Sequence, residues 1–233
     1  MNADNLSNEQ EAPNRPLALS LAVAAVAGLI AVVLRLVPLP TGFSAVGACS
    51  LFGGAKVKTW HAYLIPLGVM IVSDLLLWLL SGFDFNYSLG HPSRVFVYGS
   101  FMIYVLIGRW LGDKDSIVRV SLAATVGGVQ FFVLTNFCEW LFQPLYYNLI
   151  AEPFRYSRDL NGLLACFVAA LPFYQGETPF GEHPFAVLTD FRFSIVWTVL
   201  GDILFTTGYI LVYAKLKQRA ASTEPAAMPV TNA

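Results

Sequence analysis

The stretch Ser44–Lys56 reads SAVGACSLFGGAK: small residues, two adjacent glycines and no charge before the closing lysine. It is apolar enough for a lipid bilayer and almost too short to cross one. It could span, dip in and return, or belong to an ordinary soluble core. The choice decides which side each polar residue faces.

The residues around it remove the soluble option. Of 233 residues, 56% are hydrophobic and 12% are charged, and the mean hydropathy is +0.61. A soluble domain carries roughly 25% charged residues, so the charge deficit is about twofold. This is the composition of an integral membrane protein, with the lipid bilayer as its solvent. The net charge of −1 supplies no basic surface for nucleic acid.

Cys49, Cys138 and Cys166 are scattered through apolar runs, without the spacing of a zinc or disulfide framework. They read as small apolar fillers between helices. His61, His91 and His183 are isolated at segment edges, so neither a metal site nor a bound cofactor is expected. The polar start, MNADNLSNEQEAPNR, opens acidic and runs into a full-length span, unlike a cleavable signal. Residues 1–16 and 215–233 read as polar tails around one transmembrane domain, 17–214.

A hydrocarbon core of about 30 Å needs roughly 20 apolar residues in a helix. Leu17–Val37, Ala62–Leu80, Val95–Leu111, Val118–Phe142 and Phe193–Ala214 meet or approach this length. Two stretches are marginal: Pro40–Val57, which contains the opening segment, and Leu160–Tyr174. The two resemble each other, each with a Gly, an Ala-Cys pair and then an aromatic residue. Each also precedes an apolar helix holding a lone aspartate, Asp74 or Asp202, as an internal duplication would produce.

Positive charge chooses between the topologies. If all seven segments cross with the N-terminus inside, lysines and arginines divide evenly between the two faces. If Leu160–Tyr174 only lies on or dips into the outer face, nine fall inside (Arg15, Lys56, Lys58, Arg109, Lys114, Arg119, Lys215, Lys217, Arg219). Five fall outside (Arg35, Arg94, Arg155, Arg158, Arg192). The expectation is an all-α bundle of six transmembrane helices plus a short outer-face or re-entrant helix, in the cytoplasmic membrane with both termini cytoplasmic. In that arrangement the opening stretch crosses, barely, from Pro40 to its anchors Lys56 and Lys58.

Ionisable groups at membrane depth are costly and usually functional. Asp74 lies beside Ser73, Asp202 has Thr198 and Thr206 one turn away on either side, and Asn136, Glu139 and Gln143 form a polar stripe. With Arg35 at the end of the first helix, these groups converge on the outer half of the bundle, where they would line a substrate pocket with Trp140. The alternatives stay open. An aspartate can cap a neighbouring helix or pair with Arg35, Glu139 can simply reach the interface, and Trp140, Tyr146 and Tyr147 can belong to an interfacial belt. No nucleophile has an adjacent His in a known motif and no phosphate-binding glycine loop occurs, so an enzyme is not expected. On the first helix, Ala18 and Ala22, Ala24 and Gly28, and Ala27 and Ala31 are small pairs four apart, suited to close packing inside the protein or against a partner.

The ordered set RLVPLPTGFSAVGACSLFGGA (35–55), LIPLGVMIVSDLLL, FFVLTNFCEWL, GLLACFVAALPF and LGDILF resembles a family of uncharacterised bacterial six-span membrane proteins. That family is in turn similar to the S components of energy-coupling factor transporters, the substrate-capturing subunits of vitamin importers. The resemblance implies a subunit that takes a vitamin or related micronutrient from outside. It would then act with a transmembrane coupling protein and ATPase subunits docked on an alanine-rich face of the first helix, Ala18 and Ala22 or the pairs beside them. The sequence departs from the pattern in an acidic, Pro- and Gly-rich insertion at 175–192 and in a long loop at 144–159. A rival expectation is a structural or accessory subunit packed against a larger membrane complex. It would bury its carboxylates in pairs, where a substrate subunit would leave them lining an outer cavity.

Overall fold

Apolar runs of about twenty residues can pair all their backbone groups within hydrocarbon only by becoming helices. In the computed structural model, residues 15–37, 39, 43–82, 94–112, 116–150, 153–170, 177–178, 181–182 and 194–222 are described. The helices are α1 (Arg15–Leu36), α2 (Val46–Lys56), α3 (His61–Leu80), α4 (Arg94–Leu111), α5 (Ile117–Ile150), α6 (Leu160–Ala170) and α7 (Ser194–Ser222). Between α6 and α7, β1 (Glu177–Thr178) pairs antiparallel with β2 (Gly181–Glu182). Among the described residues, α1, α3, α4, α5 and α7 are long and apolar enough to cross a membrane. Their outward faces are apolar: Leu29 is 65% exposed, Leu79 54%, Val118 73% and Leu211 61%. Water would not tolerate such continuous faces, whereas lipid covers them. The fold is an all-α, polytopic membrane bundle.

The stretch that opened the question is the hub of this bundle. Every residue of α2 is buried, and the helix touches α1, α3, α4, α5 and α7. Its 11 residues rise only about 16 Å, roughly half the hydrocarbon thickness. The expected start at Pro40 lies outside the described residues, but residues 43–45 are not helical, so the helix begins later than the sequence suggested. A full-length span is replaced by a short helix entered through irregular backbone. Such backbone is tolerated at membrane depth only when enclosed by protein, as it is here. Phe43 packs edge-on against Trp197 and tilted against Phe205.

Glycine makes the hub possible. A Cβ on Gly54 would strike the Val105 carbonyl of α4, and one on Gly108 would strike the Leu51 carbonyl of α2. The two backbones therefore meet directly, which is how membrane helices gain close packing where no hydrophobic effect drives them together.

Contacts along the helices fix their directions. Gly28 meets Val69 and Arg35 meets Asp74, so α1 and α3 run the same way. Phe52 packs on Tyr209, and Lys56 lies over the Tyr213 ring, so α2 and α7 also run parallel. Because the short turn at 57–60 reverses the chain between α2 and α3, the start of α1 and the end of α7 share one end of the bundle. Arg15, Lys56, Lys58, Arg109, Arg119, Lys215, Lys217 and Arg219 belong to that end, and Arg35, Arg94, Arg155 and Arg158 to the other.

Two helices exceed their sequence-based bounds. α5 continues past Phe142 to Ile150, through Pro144. α7 continues past Ala214 to Ser222, with residues 215–222 exposed. α6 has 11 residues and turns back along α5: Cys166 donates to the Asn136 carbonyl and Phe167 packs on Phe132. Its rise of about 16 Å covers roughly half the hydrocarbon thickness. Of the 175–192 insertion, only the two short strands are described.

Candidate functional site

Among the described residues, three polar centres join helices of the bundle. The first joins α1, α3 and α4 at the end opposite the chain termini. Asp74 is wholly enclosed, and its Oδ1 accepts from Arg35 Nη2 at 2.7 Å and from Arg94 Nη1 at 2.8 Å. Its Oδ2 accepts from the Tyr98 hydroxyl at 2.7 Å. Arg94 and Tyr98 are four apart and so share one face of α4. The second amino group of Arg35, Nη1, is directed at the thioether sulfur of Met70. The guanidinium side chains keep partial access, 16% for Arg35 and 25% for Arg94. One carboxylate thus organises two cations in a setting where lone charges would be prohibitively costly.

The second centre lies deeper, beside the start of α2. A helix that begins inside protein leaves N–H groups without partners and a positive dipole end. Asp202 of α7 answers both: its carboxylate accepts from the Ala48 backbone N–H and from the Tyr104 hydroxyl at 2.7 Å. Gly47 has no side chain because that carboxylate occupies the space a Cβ would need. Gly127 of α5 likewise yields to the Tyr104 ring. Tyr98 and Tyr104 are six residues apart on α4, so the two aspartates are served from levels about 9 Å apart along that helix.

The third centre joins α5 to α6. Pro144 cannot donate to the Trp140 carbonyl, leaving that acceptor without its helical partner. Arg158 Nη1 supplies the missing bond at 2.9 Å, reaches the Leu141 carbonyl at 2.7 Å, and lies over the Trp140 ring. Trp140 Nε1 donates to the Ser157 carbonyl at 2.8 Å, and Gln143 both donates to and accepts from the Tyr156 backbone. Asp159 caps α6, accepting from the Gly162 N–H at 2.8 Å. The Ser157 hydroxyl and that N–H hold its carboxyl below the usual carboxylate range. Glu139, half-buried on α5, lies within electrostatic range of Tyr156.

The residues expected to converge are therefore distributed. Asp74 and Arg35 come together, while Asp202 bonds elsewhere. Asn136 donates to the Phe132 carbonyl of its own helix at 2.7 Å, and Trp140 and Glu139 belong to the α5–α6 junction. Sequence reasoning missed Arg94, Tyr98, Tyr104 and Arg158 as partners. The four-residue spacing of Arg94 and Tyr98 was a usable signal, and Pro144 announced a carbonyl in need of a donor. Nothing local marked Tyr104.

The small pairs of α1 divide by face. Ala18 and Ala22 are exposed, whereas Ala24 and Gly28 are buried and cannot dock a partner. Gly28 packs on Val69 of α3, so that pair serves the internal α1–α3 contact.

Fold and polar centres together define a helical integral membrane protein whose buried charges sit at helix crossings. Residues 15–226 match the family described as "Family of unknown function (DUF6580)", and the chain belongs to that family. No curated protein and no solved structure matches it.

Proposed function

We propose that the chain is a substrate-binding membrane subunit, similar to an S component, that serves uptake of a small organic molecule such as a vitamin or related micronutrient. The observation that supports this reading is the Arg35–Asp74–Arg94–Tyr98 centre. It is drawn from three helices, lies at the end opposite the termini, and combines an enclosed carboxylate with two partly accessible guanidiniums. Eight described lysines and arginines against four favour the terminal end as cytoplasmic, so this centre faces outward. The exposed Ala18 and Ala22 are where a transmembrane coupling protein, with its ATPase subunits, would pack. The chain performs no chemistry of its own in this reading and needs no cofactor.

A second reading, an accessory subunit of a larger membrane complex, is favoured by one observation. Asp74 and Asp202 both have protein partners, as expected of carboxylates that serve structure. A thermal-shift screen of the purified full chain against vitamins and nucleobases separates the two. The substrate reading expects at least one compound to raise the melting temperature in a saturable way. Silence across the panel, with stoichiometric co-purification of another membrane protein, would favour the accessory role.

A further inference from the structure

We infer that the molecule taken up carries an oxyanion, a carboxylate or a phosphate ester, and that Arg35 is the group that receives it. This inference rests on the substrate-binding reading above.

Arg35 stands at the last turn of α1 with a side chain 16% exposed, so water can solvate little of its guanidinium. Nη2 is engaged with Asp74 at 2.7 Å. Nη1 has the Met70 sulfur as its acceptor, and a thioether is a weak acceptor for a charged donor. A nearly enclosed guanidinium that directs one edge at a carboxylate and the other at sulfur is under-served. An incoming carboxylate or phosphate would replace the poor acceptor with a charge-assisted, forked pair, the geometry for which arginine is suited.

Charge points the same way. Asp74 supplies one negative charge to two guanidiniums bound to the same oxygen, 2.7 and 2.8 Å away. Arg35 shares its counter-ion with Arg94, and a second anion beside Arg35 would relieve that sharing. Tyr98 completes the Asp74 shell through Oδ2, so the carboxylate stays in place as a positioning group while the ligand changes. The flexible, polarisable side chain of Met70 can move aside without leaving a polar group unpaired. An anionic lipid headgroup offers the same chemistry from a different source. The inference commits to a free molecule, because the two guanidiniums and Asp74 are gathered between three helices and not along an outward face.

The test uses the full chain in phosphatidylcholine nanodiscs, with melting temperature read against sodium benzoate, inorganic phosphate and uncharged benzamide. A second set of discs contains phosphatidylglycerol. Expected is stabilisation by benzoate or phosphate but not benzamide, with the half-saturating concentration raised about ten- to a hundredfold in Arg35→Lys, which keeps the charge but loses the fork. The Lys variant without ligand should melt near the parent. If it does not, Met70→Gln is the second variant: it gives Nη1 a good internal acceptor and should weaken anion binding while Arg35 stays intact. Benzamide acting as well as benzoate would overturn the anion inference and leave the binding-subunit reading standing. Stabilisation only by phosphatidylglycerol, or no response to any probe, would overturn the anion inference and leave the binding-subunit reading to the vitamin screen.

Discussion

The carboxylate of Asp202 lies against the Cα of Gly47, where any side chain would collide with both of its oxygens. The glycine leaves room for the aspartate, and the aspartate closes the helix that starts at Val46. This contact predicts coupled mutational effects. Gly47→Ala should lower unfolding stability by about 1–3 kcal/mol through overpacking. Asp202→Asn should lower it by about 1.5–3 kcal/mol through loss of charge-assisted bonds. In an Asp202→Ser background the same Gly47→Ala should be nearly neutral. Additive losses in thermal or denaturant unfolding would mean that the two residues do not share the space.

A second cycle concerns Pro144 and Arg158. Arg158 bonds the Trp140 carbonyl because proline cannot. Since Arg158 is exposed, Arg158→Gln should cost only about 0.5–1.5 kcal/mol in the parent. In Pro144→Ala, which restores the backbone donor, the cost should shrink. Equal costs in both backgrounds would show that Arg158 acts on something other than the orphaned carbonyl.

How much of this was legible beforehand differs by level. Helix number and class followed from apolar run lengths, because hydrocarbon leaves the backbone no other choice. The contacts open to the aspartates were legible too: Asp74 pairs with Arg35, and Asp202 caps a neighbouring helix. That they serve separate centres was not legible. It depends on α2 being a short buried hub instead of a span, and this is set by backbone contact at Gly54 and Gly108 that no periodicity encodes. Length alone overrated Pro40–Val57, because composition cannot tell an apolar segment that faces lipid from one that faces protein on all sides.

The split of α1 into two faces predicts different outcomes for its small pairs. Ala18→Leu with Ala22→Leu adds bulk to an exposed face and should leave the melting temperature unchanged while abolishing co-purification of a coupling protein. Gly28→Leu enlarges a buried face against Val69 and should destabilise the chain itself. Retention of every partner by the Ala18/Ala22 double variant would remove that face from consideration.

Sidedness is open to labelling. Thr178, in β1, lies on the connection between α6 and α7, which the proposed orientation puts outside. A Thr178→Cys variant should react with an impermeant thiol reagent added to intact cells, whereas Thr223→Cys should react only after permeabilisation. The reversed pattern would invert the proposed orientation and turn the Arg35 centre toward the cytoplasm.

The most direct measurement is native mass spectrometry of the gently purified chain after incubation with a mixture of vitamins and nucleobases. The account predicts a one-to-one adduct with a single small molecule, carrying a carboxylate or phosphate and lost in Arg35→Lys. A bare chain under all conditions, or a chain found only in fixed stoichiometry with another membrane protein and never with a small molecule, would contradict it.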